Sequence, residues 1–390
     1  MTDADAATGA APEVAVSACP SCGQPVDATD QFCESCGAAL REAAAMVDAE
    51  PIPPPGSILS PEVGAPRICS CGGKIDADGW CTTCGLRALS ERDHFSERPT
   101  ATVAFVCDKG IVHSRNEDAA AIFVSDDRTV LVVCDGVTTA TDSDVASLAA
   151  AKAARDVLAD SPDSPTTSPA TVVEHWTDQL VVATTAAQRE AAATAVDVPS
   201  GANPPSSTYV AAVVDGPLLV AAWIGDSRCY WLPDAGPALQ VTTDDSWASA
   251  QVAQGMPRDV AEADSRAHAI TRWLGVDSPG GEPSSTSVAL EGPGWVLVCT
   301  DGLWNYCSPA ANLRELVTSQ IAAVGDDPLA LASALCQWAN ERGGHDNVTV
   351  ALAHLVGSER SIADPTGVGP PETPVSEPAG SGPATSTRRS

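Results

Sequence analysis

Short apolar runs bounded by turn residues predict β-strands along much of the chain. The runs Thr129–Cys134, Trp295–Cys299 and Val348–Leu355 have the length and continuous apolar character of buried strands. Two further runs, Thr208–Val214 and Leu218–Trp223, are separated by an Asp-Gly-Pro turn. We expect these two to pair as a hairpin.

Helical periodicity fills the intervals between the predicted strands. Two segments carry Ala-rich faces at helical spacing, and two later segments begin with Pro, which is favoured in the first turn of a helix. The four predicted helices are Thr141–Ala159, Ala170–Thr194, Pro309–Val324 and Pro328–Arg342. The stretch Asp244–His268 is polar, helix-prone and interrupted by Gly-Met-Pro.

Three of the predicted strand ends carry carboxylates. Asp135 and Asp301 follow apolar strands, and Asp346 precedes one. Any one of them alone could be a turn or helix cap. Strand ends place side chains at the rim of a sheet, where carboxylates repel one another unless a cation lies between them, and oxygen ligands suit Mg²⁺ or Mn²⁺. We therefore predict a two-metal hydrolytic centre.

Five short motifs in a fixed order carry a family resemblance. They are Asn116-Glu117-Asp118, Asp135-Gly136, Gly225-Asp226-Ser227-Arg228, Thr300-Asp301-Gly302-Leu303-Trp304 and Asp346-Asn347-Val348-Thr349-Val350. In this order they resemble the bacterial type 2C metal-dependent protein serine/threonine phosphatases. The resemblance covers about Thr100 to Val356, and the ordered set is specific although each motif alone is weak.

The resemblance implies an α+β fold in which two antiparallel sheets are sandwiched between helices, with the metals between the sheet edges. Carried over residue by residue, Asp135 bridges both metals and the Gly136 carbonyl holds one of them. Asp301 and Asp346 hold the other.

The remaining implied ligands are Glu117 and Asp118, acting directly or through metal-bound water, and Asp226, which binds a third, looser metal together with Asp301. In the family, the region matching Asp244–His268 forms a mobile flap over the catalytic cleft.

The activity implied is hydrolysis of phosphoserine and phosphothreonine in proteins, opposing bacterial Ser/Thr kinases. Water bridging two divalent cations becomes hydroxide near neutral pH, and the cations offset charge on the phosphoryl oxygens. A catalytically weak or dead phosphoprotein-binding module and a zinc-ribbon scaffold are the alternatives. The presence of every ligand carboxylate favours the enzyme, because a dead domain has no chemical reason to keep repelling acids together.

The chain departs from the family pattern at the phosphate-binding position. The family places an Arg four residues before the Glu of its first motif, and this chain has His113 there. A neutral imidazole is a poorer phosphate clamp than a guanidinium. If the segment is extended, residues 113 and 115 share a face. Our hypothesis is that Arg115 clamps the phosphate and His113 assists as proton donor; the alternative is that Arg115 is a solvated charge.

A second departure follows the bridging aspartate. Where family members commonly continue with two glycines, this chain has Thr138-Thr139. Because Thr does not adopt positive φ as easily as Gly, we expect a differently shaped loop and weaker or absent activity as one outcome.

Eight cysteines precede residue 85 and predict two zinc ribbons. They are Cys19, Cys22, Cys33 and Cys36, followed by Cys69, Cys71, Cys81 and Cys84. Paired thiolates at such spacing hold tetrahedral Zn²⁺. The second set is off by one residue between its first two cysteines, and a disulfide alternative fits poorly with a chain lacking a secretory signal.

Composition divides the chain into five parts. We predict zinc ribbon 1 at 1–41, a Pro/Ala-rich linker at 42–66, zinc ribbon 2 at 67–90, the phosphatase domain at 98–357 and a disordered tail at 358–390. The six later cysteines are isolated in apolar surroundings, and we expect them to pack as small hydrophobic residues.

Charge and hydropathy limit the partners and the location. The 390-residue chain has a formal net charge of −30, which argues against nucleic-acid binding and favours cations and basic partners. The sequence contains no run of 18 apolar residues, so it predicts no membrane-spanning helix. The acidic start of the chain lacks the basic region of a secretory signal, so we expect a cytoplasmic protein.

We predict that the ribbons bind a protein partner. No Lys or Arg lies between Cys19 and Leu40, while Phe32 and Trp80 each stand immediately before a second cysteine pair. A pull-down with a Met1–Ser90 fragment should capture partners, and Trp80→Ala and Phe32→Ala forms that retain zinc should capture less. Undiminished capture, or salt-sensitive retention of DNA or RNA, would contradict a protein-docking role.

Overall fold

A computed structural model of the chain describes residues 72–76, 80–85, 88, 90–165 and 168–356, and two short strands near the N-terminus. Those two strands, β1 (Ser17–Ala18) and β2 (Pro25–Val26), pair antiparallel. The first four cysteines, Cys69, Cys71, the predicted linker and the predicted tail lie outside the described residues.

Thirteen further strands follow along the described chain. They are β3 (His94–Glu97), β4 (Val103–Asp108), β5 (Ala119–Val124), β6 (Arg128–Cys134), β7 (Ser206–Ser207), β8 (Tyr209–Asp215), β9 (Leu218–Ile224), β10 (Arg228–Pro233), β11 (Leu239–Gln240), β12 (Leu274–Gly275), β13 (Ser284–Ala289), β14 (Gly294–Cys299) and β15 (Val348–Leu355).

These strands form two large antiparallel sheets. The six-stranded sheet has the order β11-β10-β14-β15-β4-β3, and the five-stranded sheet has the order β13-β9-β8-β6-β5. The inward faces of both sheets pack on each other in one apolar cluster that includes Leu131, Val210 and Val298. The strands are nearly continuous apolar runs because helices cover their outer faces as well.

Seven helices lie among the described residues. They are α1 (Ser143–Asp160), α2 (Pro169–Ala193), α3 (Trp247–Ala253), α4 (Arg258–Glu262), α5 (Asp301–Trp304), α6 (Ala310–Val324) and α7 (Pro328–Asn340). The first two pack on the five-stranded sheet around Trp176 and Leu180. The last three cover the six-stranded sheet around Leu313 and Leu331. The predicted sandwich between helices is therefore confirmed.

The predicted helices and strands agree closely with the observed ones. The hairpin joins β8 to β9 with Asp215 opposite Leu218, and Pro169 and Pro328 stand at helix starts. All six later cysteines are buried. Of the helices that the structure describes, none combines the length and apolar character needed to cross a bilayer.

The six-stranded sheet extends beyond the predicted start of the catalytic domain at residue 98. Strand β3 pairs with β4 from His94 opposite Asp108 to Glu97 opposite Phe105. Its residues are mostly exposed, so this edge strand is held by backbone hydrogen bonds to β4 and by the contact of Phe95 with Phe105. We therefore place the domain start near Ser90.

The described part of the second cysteine segment is a small hairpin. Ile75 bridges to Cys81, and the Thr82 amide donates to the Lys74 carbonyl over 2.9 Å. Cys81 is buried and Cys84 is exposed, while Trp80 is 49% exposed. The zinc site at this segment stays a prediction, because Cys69 and Cys71 lie outside the described residues.

The sheet-to-sheet core should dominate the free energy of unfolding. Leu131 is fully buried between the sheets, so Leu131→Ala should lower that free energy by about 2–5 kcal/mol in urea titrations. Val182 on α2 is 52% exposed, and Val182→Ala should cost about 0.5 kcal/mol or less. Equal losses for the two variants would contradict this assignment of the core.

Candidate metal centre

The strand register brings every predicted acidic ligand to one end of the sandwich. In the five-stranded sheet, the first residue of β5, Ala119, lies opposite the last residue of β6, Cys134. In the six-stranded sheet, Cys299 at the end of β14 lies between Arg228 and Val350. The motifs that precede β5, β10 and β15 and follow β6 and β14 therefore meet at this end.

Asp226 marks the crossing between the sheets. It follows β9 of one sheet and precedes β10 of the other, with its side chain buried. Burial and the nearby Asp301 raise its pKa well above the usual range. The Trp304 indole donates to the Asp226 carbonyl over 3.0 Å, which fixes this loop against α5.

Asp118 is buried with only one of its two carboxylate oxygens satisfied. Oδ2 accepts from the hydroxyls of Thr300 and Thr349, each over 2.8 Å. Oδ1 has no hydrogen-bond partner among the described residues. Burial, followed by the charge of Asp346, raises the pKa of this carboxyl. A buried oxygen left open in this way is a fitting ligand position.

Asp135 and Asp301 lie side by side at the rim. They keep partial solvent access, and the two carboxyl groups are within hydrogen-bonding reach of each other. Burial and then Asp118 raise the pKa of Asp135 well above its usual range. Burial and then Asp346 raise the pKa of Asp301 to about 7. Asp301 Oδ1 also has no partner among the described residues.

Gly136 permits the close approach of the first motif. A Cβ at this position would lie 2.5 Å from the Glu117 carbonyl oxygen and 2.9 Å from the Ser143 Cβ, so a side chain would push the two loops apart. The Ser147 hydroxyl donates to the same Glu117 carbonyl over 2.5 Å. Helix α1 thereby holds the first motif beside Asp135.

His113 and Arg115 both contact Glu117. The Arg115 Nε and Nη2 atoms donate to Glu117 Oε1 over 3.0 and 2.8 Å. Arg115 Nη1 lies 3.6 Å from Asp144. His113 Nδ1 lies 3.8 Å from Glu117 Oε2, and its Nε2 lies 3.3 Å from Asp346 Oδ1. The Arg115 guanidinium therefore contacts the carboxylates of Glu117 and Asp144. It must release one of these two carboxylates to bind a phosphate.

The Thr138-Thr139 loop closes without glycine. The Ala140 amide donates to the Val137 carbonyl over 2.9 Å. Among the described non-glycine residues, only Asp142 and Asp197 have positive φ, so the turn itself avoids the left-handed region. Asp142, with φ of 50°, takes that conformation just before α1. The one residue of this turn with positive φ thus lies seven positions after Asp135, at the start of α1.

Sequence reasoning missed the residues that position the acids. The Asn347 Oδ1 accepts from the Glu117 amide over 2.7 Å, and its Nδ2 donates to the Lys109 and Arg115 carbonyls. The Thr208 hydroxyl accepts from the Asp135 amide over 3.0 Å, and the Thr208 amide donates to the Asp135 carbonyl over 2.7 Å. Asn347 could have been noticed beside Asp346, whereas Thr208 leaves no signal in the sequence.

The donor set fits hard divalent cations. Two buried carboxylate oxygens, on Asp118 and Asp301, lack partners among the described residues. Carboxylate oxygens are the ligands that hard divalent cations prefer. As the side chains stand, no group of three or more His, Cys, Asp or Glu residues in the described ranges could hold a metal ion. Carboxylates repel one another without a cation, so ligation requires them to turn inward together.

A polar cavity of about 500 Å³ adjoins this centre. It lies between the α3–α4 segment and α5, and its lining includes Asp244, His268 and Asn305. The Asn305 amide donates to Asp301 Oδ2 over 3.0 Å, so the cavity and the acidic cluster share a wall. The predicted flap region is therefore next to the acids. In the wall of this cavity, Arg228 donates from Nε and Nη2 to the two carboxylate oxygens of Asp244 over 2.8 and 2.6 Å.

Two family models match the chain. One, described as protein phosphatase 2C, matches residues 111–338, which is more than half of the chain. The other, a zinc-ribbon domain, matches residues 19–40.

Curated relatives and solved structures agree with the first match. The serine/threonine phosphatase stp of Listeria innocua is 28% identical over 250 residues, covering 64% of this chain and 93% of that protein. The protein phosphatase PhpP of Streptococcus pneumoniae is 34% identical over 148 residues, covering 37% and 56%. The Mycobacterium tuberculosis serine/threonine phosphatase PstP/Ppp has a crystal structure that aligns with a TM-score of 0.51 at 27% identity, covering 65% and 98%.

The raised pKa values predict how the metal-free fold responds to pH. The folded state retains protons that the unfolded chain releases near pH 3.8, so stability is lost as pH rises from that value through about 7 for Asp301. The melting temperature of chelator-treated protein should fall as pH rises from about 4 to about 7. Asp135→Asn should flatten this fall, since it removes one repelling charge.

The exposed Asp126 offers a matched control. Asp126→Asn removes the same charge away from the cluster, so its melting curve should follow the wild type across the pH range. Identical pH dependence in the wild type and Asp135→Asn would contradict a repulsive cluster.

Proposed function

The chain belongs to the protein phosphatase 2C family, and from this premise we propose that it hydrolyses phosphoserine and phosphothreonine in proteins at a divalent-metal centre. The observation that carries the proposal is the gathering of acids from both sheets, with two buried carboxylate oxygens lacking partners among the described residues. A domain that only bound phosphoproteins would gain nothing from placing mutually repelling carboxylates together.

We assign the metal-holding roles to the residues at the sheet rim. Asp135 would serve both ions and the Gly136 carbonyl one of them, while Asp301 and Asp346 would hold the second. When bound, Mn²⁺ or Mg²⁺ acidifies water and offsets phosphoryl charge. Glu117 and Asp118 act directly or through water.

A third and weaker ion is assigned to Asp226 together with Asp301. Asp226 is buried beside Asp301, whose charge contributes to its raised pKa. Asp226 lies on the connection between β9 of one sheet and β10 of the other.

The chain's own contribution to phosphate chemistry lies in His113 and Arg115. His113 is 18% exposed and stands between Glu117 and Asp346, a position from which a protonated imidazole can donate a proton to the leaving alkoxide. Arg115 is 37% exposed beside Glu117. We propose that a substrate phosphate draws the guanidinium from Asp144, its more distant carboxylate partner.

Substrates and partners follow from charge and from the relatives. The net charge of −30 favours phosphoproteins with basic surroundings over acidic ones. Proteins phosphorylated by a Ser/Thr kinase, and the kinase itself, are the proposed partners of the catalytic domain. Two Zn²⁺ in the N-terminal cysteine groups would support a docking module, and the reducing cytoplasm suits such thiolate sites.

Substitution of the acids should separate their roles. Asp135→Asn should reduce Mn²⁺-dependent hydrolysis of a phosphothreonine peptide to less than about a tenth of wild type, because it serves both ions. Asp226→Ala should mainly raise the metal concentration needed for half-maximal activity. The assay is a Mn²⁺ titration of chelator-treated protein. Equal losses at saturating metal would contradict these separate roles.

The phosphate-clamp hypothesis predicts a change in KM. Arg115→Ala should raise KM for a phosphopeptide several-fold with a smaller effect on kcat, since the lost contact forms with bound substrate. Arg155→Ala on α1, where Arg155 pairs with Asp156, is the control and should leave KM unchanged. An unchanged KM in Arg115→Ala would end the clamp hypothesis.

A further inference from the structure

Arg92 lies outside the matched family region yet reaches the first acidic motif. Its Nη2 donates to the Asp118 carbonyl over 2.9 Å and to the Asp144 carbonyl over 3.2 Å. A terminal guanidinium nitrogen carries two hydrogens, so it can serve both carbonyls at once. In return, the Asn116 side-chain amide donates to the Arg92 carbonyl over 2.9 Å.

The turn that presents Arg92 is itself held firmly. The Ser90 amide and hydroxyl donate to the Asp93 carboxylate over 2.8 and 3.1 Å. The Lys109 amide donates to the Asp93 carbonyl over 2.8 Å. The guanidinium also stands 5.0 Å from the Phe95 ring centre. Arg92 therefore approaches the motif from a hydrogen-bonded turn that precedes β3.

The contacts of Arg92 complete the positioning of Asp118. The Asp118 side chain is held through Oδ2 by Thr300 and Thr349, and its backbone carbonyl is held by Arg92. The same Arg92 nitrogen ties that carbonyl to the first turn of α1 through Asp144. With both attachments made, Oδ1 remains the one oxygen of this carboxylate without a partner among the described residues.

Generic stabilisation does not explain this arrangement. Arg92 Nη1 is buried and has no hydrogen-bond partner among the described residues, which costs free energy. A surface ion pair on the same segment, such as that between Arg98 and Asp327, avoids this cost. The geometry points to loop positioning.

We infer that Arg92 is a positioning residue that sets the first acidic motif for metal binding, so that the segment just after the second cysteine group is part of the catalytic machinery. The inference rests on the proposed metal centre. Partners of metal ligands commonly change metal affinity by about 10–100-fold when removed. Loss of Arg92 should therefore weaken Mn²⁺ binding rather than abolish folding.

The test compares full-length variants by calorimetric Mn²⁺ titration. Arg92→Ala should raise the Mn²⁺ dissociation constant at least about tenfold, and Arg92→Lys should raise it less, since an ammonium retains charge without the planar fork. Arg98→Ala, which removes a guanidinium paired with Asp327 away from the acidic motif, is the control. An affinity in Arg92→Ala equal to that of wild type would overturn the inference.

A second measurement works without metal. Hydrogen exchange at the amides of Glu117 and Asp118 in chelator-treated protein should be faster in Arg92→Ala than in the Arg98→Ala control, because the loop loses its anchor. Unchanged exchange there would also overturn the inference. If wild type binds no Mn²⁺ but exchange rises in Arg92→Ala, the metal proposal fails while the positioning role stands.

Discussion

Repulsion between carboxylates at one end of the sandwich lowers the stability of the fold, and the remaining contacts must compensate for it. Burial and mutual charge raise the pKa values of the clustered acids Asp118, Asp135, Asp226 and Asp301. Arg228, a buried cation beside Asp226, is already paired with Asp244. The apolar layers between and outside the sheets must therefore offset the free energy that this repulsion costs the folded state. A bound cation would relieve the same repulsion.

The acids are held by groups that leave some of their oxygens open. Asp118 is tethered by two threonine hydroxyls and Arg92, and the Glu117 backbone by Asn347 and Ser147. Each tether uses a backbone group or only one carboxylate oxygen. The fold thus fixes the backbones that carry the acids and leaves some carboxylate oxygens without partners among the described residues, so the side chains can still turn inward toward an ion.

Two departures from the family pattern have physical accommodations nearby. The turn after Asp135 closes without glycine, and Asp142 adopts the left-handed conformation before α1. The imidazole of His113 stands between Glu117 and Asp346, with Arg115 on the other side of Glu117. Neither departure displaces an acid from the rim, so the architecture remains that of an enzyme rather than of a scaffold.

The helices, most strands and the acidic residues could be predicted from the sequence. The hydrogen bonds that hold those acidic residues could be seen only in the folded structure. Apolar runs of strand length and Ala-rich helical spacing left a periodic trace, and the strand-end positions of Asp135, Asp301 and Asp346 followed from it. Strand β3 left no such trace, because its residues are mostly exposed and it is held by backbone pairing. The contacts of Arg92 and Asn347 depend on backbone groups brought close only by folding, and a hydrogen bond to a distant carbonyl has no period in the sequence.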